Sequence, residues 1–214
     1  GAIDQAVRPA LPLVEKLAQV ATSLANDVIS AIDVEVRGEI SSHDVSVLAT
    51  SALKGALLAM GAEDVTYVNA PALASSRSLT STVSTDAESP DHRNLVSVRA
   101  ACADGSQIMV SGTLMGIKQI QKIVAIDKLD LDLKPTTNLL FLRYTDRPGV
   151  VGVVGNALGK LKINIADMQV GRTQEGGQAL MALTVDSLIP KEIIDVISKE
   201  TGASLVRFVN LVNE

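Results

Sequence analysis

Tryptophan is absent, and aromatic residues of all kinds make up only 2% of the 214 positions. A core without rings has to be assembled from Val, Leu, Ile and Ala. Apolar residues at 47% against 20% charged supply enough of them to exclude a disordered chain. No segment is strongly basic, the net charge is −5 and the pI is near 5.1. With few aromatic faces for bases to stack on, that balance excludes nucleic-acid binding. No apolar run approaches the ~20 residues that cross a bilayer, and the first helix-like segment is interrupted by Glu15 and Lys16, unlike the core of a signal peptide. No membrane partner is expected. Cys102 is the only cysteine, so no intrachain disulfide can form, which fits a reducing cytoplasm. His43 and His92 are the only histidines, and neither has Cys, His or carboxylate at metal-ligand spacing, so no metal is expected. The chain opens Gly1-Ala2-Ile3 without Met, which reads as a fragment or processed product whose chemistry could lie elsewhere.

What is present is strong periodicity. Pro12 to Asn26 repeats Leu13, Leu17, Val20 and Leu24 on one helical face. Ile32, Val34, Val36 and Ile40 then alternate with Asp33, Glu35, Arg37 and Glu39, the mark of a half-buried strand. Ser42 is placed to cap a helix over 44–60 that Gly61 ends. Val65 to Val68 reads as a short strand, Asn69-Ala70-Pro71 opens a short helix or turn, and Leu79 to Thr85 is weakly β-like. Leu95 to Ala101 and Gln107 to Leu114 form a hairpin around Asp104-Gly105-Ser106. Ile123 to Ile126 and Leu129 to Leu133 form another, with Asp127-Lys128 at its tip. Residues 1–134 are thus expected to be a mixed α/β domain, with 134–137 as a linker.

The remainder, 138–214, predicts strand (138–144), helix (149–161), strand (163–170), strand (179–185), helix (190–199) and strand (203–209). That βαββαβ order is the ferredoxin-like plan, giving an α+β chain overall. Both helices should pack on one side of a four-stranded antiparallel sheet, leaving the other face and the edges open. Gly149, Gly152, Gly155 and Gly159 do not match a dinucleotide fingerprint, and close helix packing is the expected reason for them.

The informative turn is Asp146-Arg147-Pro148-Gly149, between strand and helix. Unpaired N–H groups at a helix start favour a carboxylate. Gly149 lets a small ligand approach the backbone, Asp146 accepts from an ammonium, and Asn164 adds a donor and an acceptor. Taken alone, the same turn also reads as a simple helix cap.

With these residues in place, 138–210 resembles an ACT domain, a small-molecule sensor found on enzymes of amino-acid metabolism. Asn69-Ala-Pro-Ala-Leu-Ala74, Ser89-Pro-Asp-His-Arg93, Val110-Ser-Gly-Thr113 and Gln121-Lys-Ile-Val124 resemble the intervening, or allosteric substrate-binding, domain of long-form phosphoglycerate dehydrogenases. The resemblance implies a regulatory tail without an active site, attached to an enzyme that oxidises 3-phosphoglycerate with NAD in serine biosynthesis. It implies feedback inhibition by L-serine bound between paired ACT domains. Tyr144, Asp146 and Gly149 would line one side and Asn164 of the partner subunit the other, with Arg147, Pro148, Val150 and Ile165 beside them. Arg93, Lys122 and Lys134 fall in the segments resembling the anion-binding part of the first domain, and a phosphorylated or other anionic effector is expected there. A free-standing ACT-type regulator and the regulatory part of an iron–sulfur serine dehydratase are the alternatives.

Overall fold

A computed structural model describes residues 3–211; the outermost positions of the two expected domains, 1–2 and 212–214, lie outside the described residues. The chain divides into two compact units, Gly1–Asp127 and Lys128–Glu214. The division falls ahead of the 134–137 linker read from the sequence.

In the first unit, α1 (Ala10–Leu24) and α2 (Val47–Ala59) lie against each other and against one face of a sheet. The strands are β1 (Ile29–Gly38), β2 (Val83–Asp86), β3 (Asn94–Cys102), β4 (Gln107–Met115) and β5 (Ile120–Ile126), in the spatial order β2-β1-β3-β4-β5. The alternation in β1 behaves as expected: Ile32, Val34 and Val36 are buried, as are Leu13, Leu17, Val20 and Leu24 of α1. β2 runs parallel to β1, with Val34 opposite Val83, while β3 and β4 are antiparallel to their neighbours. A short helix, α3 (Ala70–Ser76), sits against α2 with Pro71 in its first turn.

Two expectations for this unit are corrected. Val65 to Val68 is a turn rather than a strand, because the amide of Thr66 donates to Asn69 Oδ1 and the amide of Asn69 to Thr66 Oγ1. These local bonds give the backbone an alternative to a strand ladder. Ser42 does not cap α2: it closes a 3-10 turn, Glu39–Ser42, by donating to the Glu39 carbonyl. Asp44, whose Oδ1 accepts from the amide and hydroxyl of Ser46, organises the approach to the helix instead.

α1 and α2 cross so closely that a Cβ on Gly55 would stand 2.2 Å from the Glu15 carbonyl oxygen. Beside this contact a fully buried Lys54 places Nζ 3.3 Å from Glu15 Oε2, and the Tyr67 hydroxyl donates to the same carboxylate oxygen at 3.1 Å.

The second unit holds β6 (Leu129–Leu133), β7 (Asn138–Thr145), α4 (Val150–Lys160), β8 (Ile165–Arg172), β9 (Gln178–Val185), α5 (Lys191–Thr201) and β10 (Leu205–Asn210). From β7 onward this is the expected βαββαβ order, and its sheet is antiparallel in the order β10-β7-β9-β8. Leu140, Leu142, Tyr144, Met181 and Leu183 form a core with Val150, Val154 and Leu158 of α4 and Ile197 of α5.

The opposite face is not open. Leu139, Phe141, Leu180, Ala182 and Thr184 are all buried. β6 lies against β8 and β9 within this unit, its backbone so close that a Cβ on Gly171 would stand 2.7 Å from the Asp130 carbonyl oxygen. β6 alternates Leu129, Leu131 and Leu133 with Asp130 and Asp132, so it brings an apolar stripe to a sheet that is apolar on both faces. Close packing of the glycines along α4 is also corrected: a Cβ on Gly152, Gly155 or Gly159 meets nothing within 4 Å among the described residues.

Candidate functional site

The turn leaving β7 is held from three sides. The Asp146 amide donates to the Gly177 carbonyl at 2.8 Å, which ties the turn to the β8–β9 hairpin. Asp146 Oδ2 accepts from the Arg172 guanidinium at 3.0 Å. The Arg147 guanidinium points away and donates to the Thr201 carbonyl at 2.9 Å, so it satisfies the C-terminal end of α5. Gly149 adopts φ +94°, a left-handed conformation that suits a residue without Cβ. It precedes α4, whose N-terminus no side chain caps. Pro148 and Gly149 are exposed, and Val150 is buried in the core beneath.

Tyr144 is a core residue with a polar end. Its ring is packed in the helix-side cluster and only 3% of the residue is exposed, yet its hydroxyl has no hydrogen-bond partner among the described residues. Burial pushes its phenol above the ordinary value, and the Asp146 carboxylate adds to that while Arg172 opposes it. Tyr144, Asp146 and Arg172 therefore share one electrostatic neighbourhood.

Asn164 and Ile165 are elsewhere. Asn164 is exposed at the start of β8, donates from Nδ2 to Asp186 Oδ2 at 2.9 Å, and its carbonyl accepts from the Asp186 amide. Ile165, half-buried beside it, is opposite Val185, whereas Arg172, at the far end of β8, is opposite Ala179. Seven residues of strand, about 23 Å at 3.3 Å per residue, separate Asn164's end of the sheet from Asp146's. Within one chain the two predicted halves of the site do not meet.

In the first unit Arg93 is exposed, and its Nε donates to Glu39 Oε2 at 2.7 Å. With Ile40, Asn94, Val96 and Thr113 it lines a cavity of about 370 Å³. Lys122 sits half-buried on β5 opposite Thr113 and is itself engaged. Lys134 is exposed just past β6, in the second unit. His43 is paired with Asp4 through Nδ1 and Oδ2 at 2.8 Å. Among the described residues no group of three or more His, Cys, Asp or Glu side chains is placed to hold a metal ion, and no helix is long and apolar enough to cross a membrane.

Arg172 was not reached from the sequence. Its partner Asp146 is 26 residues away, and only the pairing of β7 and β8 with β9 brings them together.

Residues 6–127 match the family model of the D-3-phosphoglycerate dehydrogenase intervening domain, and residues 138–202 match that of the ACT domain. Among curated relatives, a D-3-phosphoglycerate dehydrogenase of Mycobacterium leprae is 37% identical over 99% of this chain and 40% of its own length. One of Synechocystis is 32% identical over 94% of the chain and 36% of its own length. One of Bacillus subtilis is 26% identical over 96% and 39%. The chain thus spans about 40% of the length of these curated relatives. With the first unit matched almost end to end and a ferredoxin-like second unit behind it, the chain belongs to the D-3-phosphoglycerate dehydrogenase intervening-domain family and carries an ACT domain.

Proposed function

We propose that this chain is the regulatory part of a cytoplasmic, NAD-dependent D-3-phosphoglycerate dehydrogenase and that its second unit binds L-serine between two paired copies, as the signal for feedback inhibition. NAD and the dehydrogenation belong to the portion of the parent that the relatives have beyond the matched region. The observation that carries the reading is the environment at the end of β7: a buried tyrosine whose hydroxyl has no partner, beside the Asp146 carboxylate and the uncapped start of α4. A carboxylate for the ammonium and a phenol for the hydroxyl answer two of the polar groups of serine, and the uncapped amides of α4 add a positive end beside them. Asn164 supports a shared site, since it has to come from a second copy to reach Asp146. Ligand at about 100 times Kd that binds only the folded state adds roughly 2.7 kcal/mol. L-serine is therefore expected to raise the melting temperature of the chain, and Asp146→Ala and Asn164→Ala to remove most of the rise while leaving the fold intact. A rise that survives both substitutions means the site is elsewhere.

The first unit is proposed to take an anionic, phosphate-bearing effector through Arg93 and Lys122; Lys134, expected with them from the sequence, belongs to the second unit. Arg93 lines the cavity beside β3 and β4, where an incoming anion competes with Glu39 for its guanidinium. Binding should be weak and steeply salt-dependent. Calorimetric titration with inorganic phosphate and 3-phosphoglycerate checks it: the Arg93→Ala, Lys122→Ala double variant is expected to lose the signal, and unchanged binding rejects the assignment.

A further inference from the structure

We infer that Arg172 is the residue that recognises the ligand's α-carboxylate, so that the Asp146–Arg172 pair acts as a clamp for a zwitterionic free amino acid. The inference rests on the amino-acid-binding reading of the second unit and adds to it a residue and a charge requirement.

The placement comes from register. Tyr144 on β7 is opposite Ala179 on β9, and Ala179 is opposite Arg172 on β8. Directly opposed residues of antiparallel strands project to the same face. Tyr144, Ala179 and Arg172 therefore make one row across three strands, on the side of the sheet that carries α4. Ala179 is fully buried and is the smallest of the three, so it leaves room between the two long side chains.

The pair is half used. Arg172 NH1 donates to Asp146 Oδ2, and no other hydrogen bond or ion pair is made by either side chain among the described residues. Asp146 Oδ1 and the remaining guanidinium nitrogens are left to other partners. The Arg172 side chain is 55% exposed and that of Asp146 18%, so the cation faces outward and the anion inward. Beside them is the buried Tyr144 ring with its unpartnered hydroxyl, a donor and acceptor that the chain itself does not satisfy.

A free α-amino acid carries an ammonium and a carboxylate on one carbon. Laid along the pair, its ammonium meets Asp146 Oδ1 and its carboxylate meets the open edge of Arg172, a geometry that guanidinium forks favour. A ligand with only one of these charges gains one partner and meets one like charge. The clamp therefore selects the zwitterion against amines, amides and acids of similar size.

The test is isothermal titration of the 214-residue chain with L-serine and with L-serinamide, which keeps the ammonium and replaces the carboxylate by a neutral amide. Arg172→Gln is expected to weaken L-serine by about tenfold, or about 1.4 kcal/mol, and L-serinamide by less than about threefold, because only the charge-assisted bond to the carboxylate is lost. Arg172→Lys, which keeps the charge and cannot fail through an unpaired Asp146, is expected to fall between. Equal losses for both ligands, or L-serine binding unchanged in Arg172→Gln, overturn the role of Arg172 and leave the proposed site standing. A wild-type chain that binds neither ligand overturns the serine reading and this inference with it.

Discussion

At the scale of the residue, the two tyrosines are unusually clean reporters, because the chain has no other Tyr and no Trp. Both phenols are pushed above the ordinary value of 10.0, in each case first by burial. For Tyr67 the Glu15 carboxylate adds to the shift and Lys54 opposes it; for Tyr144 Asp146 adds and Arg172 opposes. A proton held more tightly in the folded state contributes stability that is fully present below the unfolded value and is lost as pH rises through the folded one. The phenolate absorbance of the folded chain is therefore expected to reach its midpoint only above pH 10.0, with stability declining as pH rises toward that midpoint. Tyr144→Phe assigns the two transitions. It removes a hydroxyl that has no bond to lose, so the melting temperature at neutral pH should be nearly unchanged. A titration centred at or below that of the unfolded chain contradicts the burial argument.

At the scale of the element, the contrast between Gly55 and Gly155 shows how packing overrides propensity. Ala is favoured over Gly inside a helix by about 1 kcal/mol. At Gly155 on α4 the added methyl meets nothing within 4 Å, so Gly155→Ala is expected to stabilise the chain by up to about that amount. At Gly55 on α2 the methyl would meet Glu15 backbone at 2.2 Å and Ala18 Cβ at 2.9 Å, and backbone cannot step aside cheaply. Overpacking of this kind costs about 1–3 kcal/mol and reverses the sign. Urea unfolding of the two variants checks it, and destabilisation by both or by neither counts against the reading. The same elements show what the sequence makes legible. β1 announces itself by alternation, and the β3–β4 hairpin by Asp104-Gly105-Ser106, because those signals lie within a few residues. The buried Lys54 does not, because its partner Glu15 is on another helix. The covered second face of the ACT sheet was missed for the same reason: β9 buries nearly every residue on both sides, but the strand that lies across it, β6, precedes the whole βαββαβ unit. Of the candidate site, the turn from Asp146 to Gly149 was legible as a local motif, whereas Arg172 depended on strand register.

At the scale of the whole molecule, the decisive fact is that Asp146 and Asn164 stand at opposite ends of one sheet. β8 is one of the two edge strands, and among the described residues the strand order gives it no neighbour beyond β9 within its sheet. Two copies joined antiparallel along β8 would run in opposite directions and bring Asn164 of the partner subunit beside Arg172 and Asp146 of the first. A two-fold contact makes two such sites, each built from both chains. The shared site has a consequence that a site within one chain lacks. A homodimer of Asp146→Ala has both sites damaged, and so has a homodimer of Asn164→Ala. In a mixed dimer one site keeps Asp146 from one chain and Asn164 from the other, while the second site loses both. Equal mixing with free exchange makes half the dimers mixed, so about a quarter of the wild-type sites should reappear. Calorimetric titration of L-serine into each variant alone and into the re-equilibrated mixture measures this directly. Sedimentation of the wild-type chain at micromolar concentration should show a species larger than one chain. Two silent variants that stay silent when mixed, with exchange demonstrated by mixed species in native mass spectrometry, rule out the shared site. Recovery near one quarter requires it, because no arrangement confined to a single chain restores binding from two defective partners.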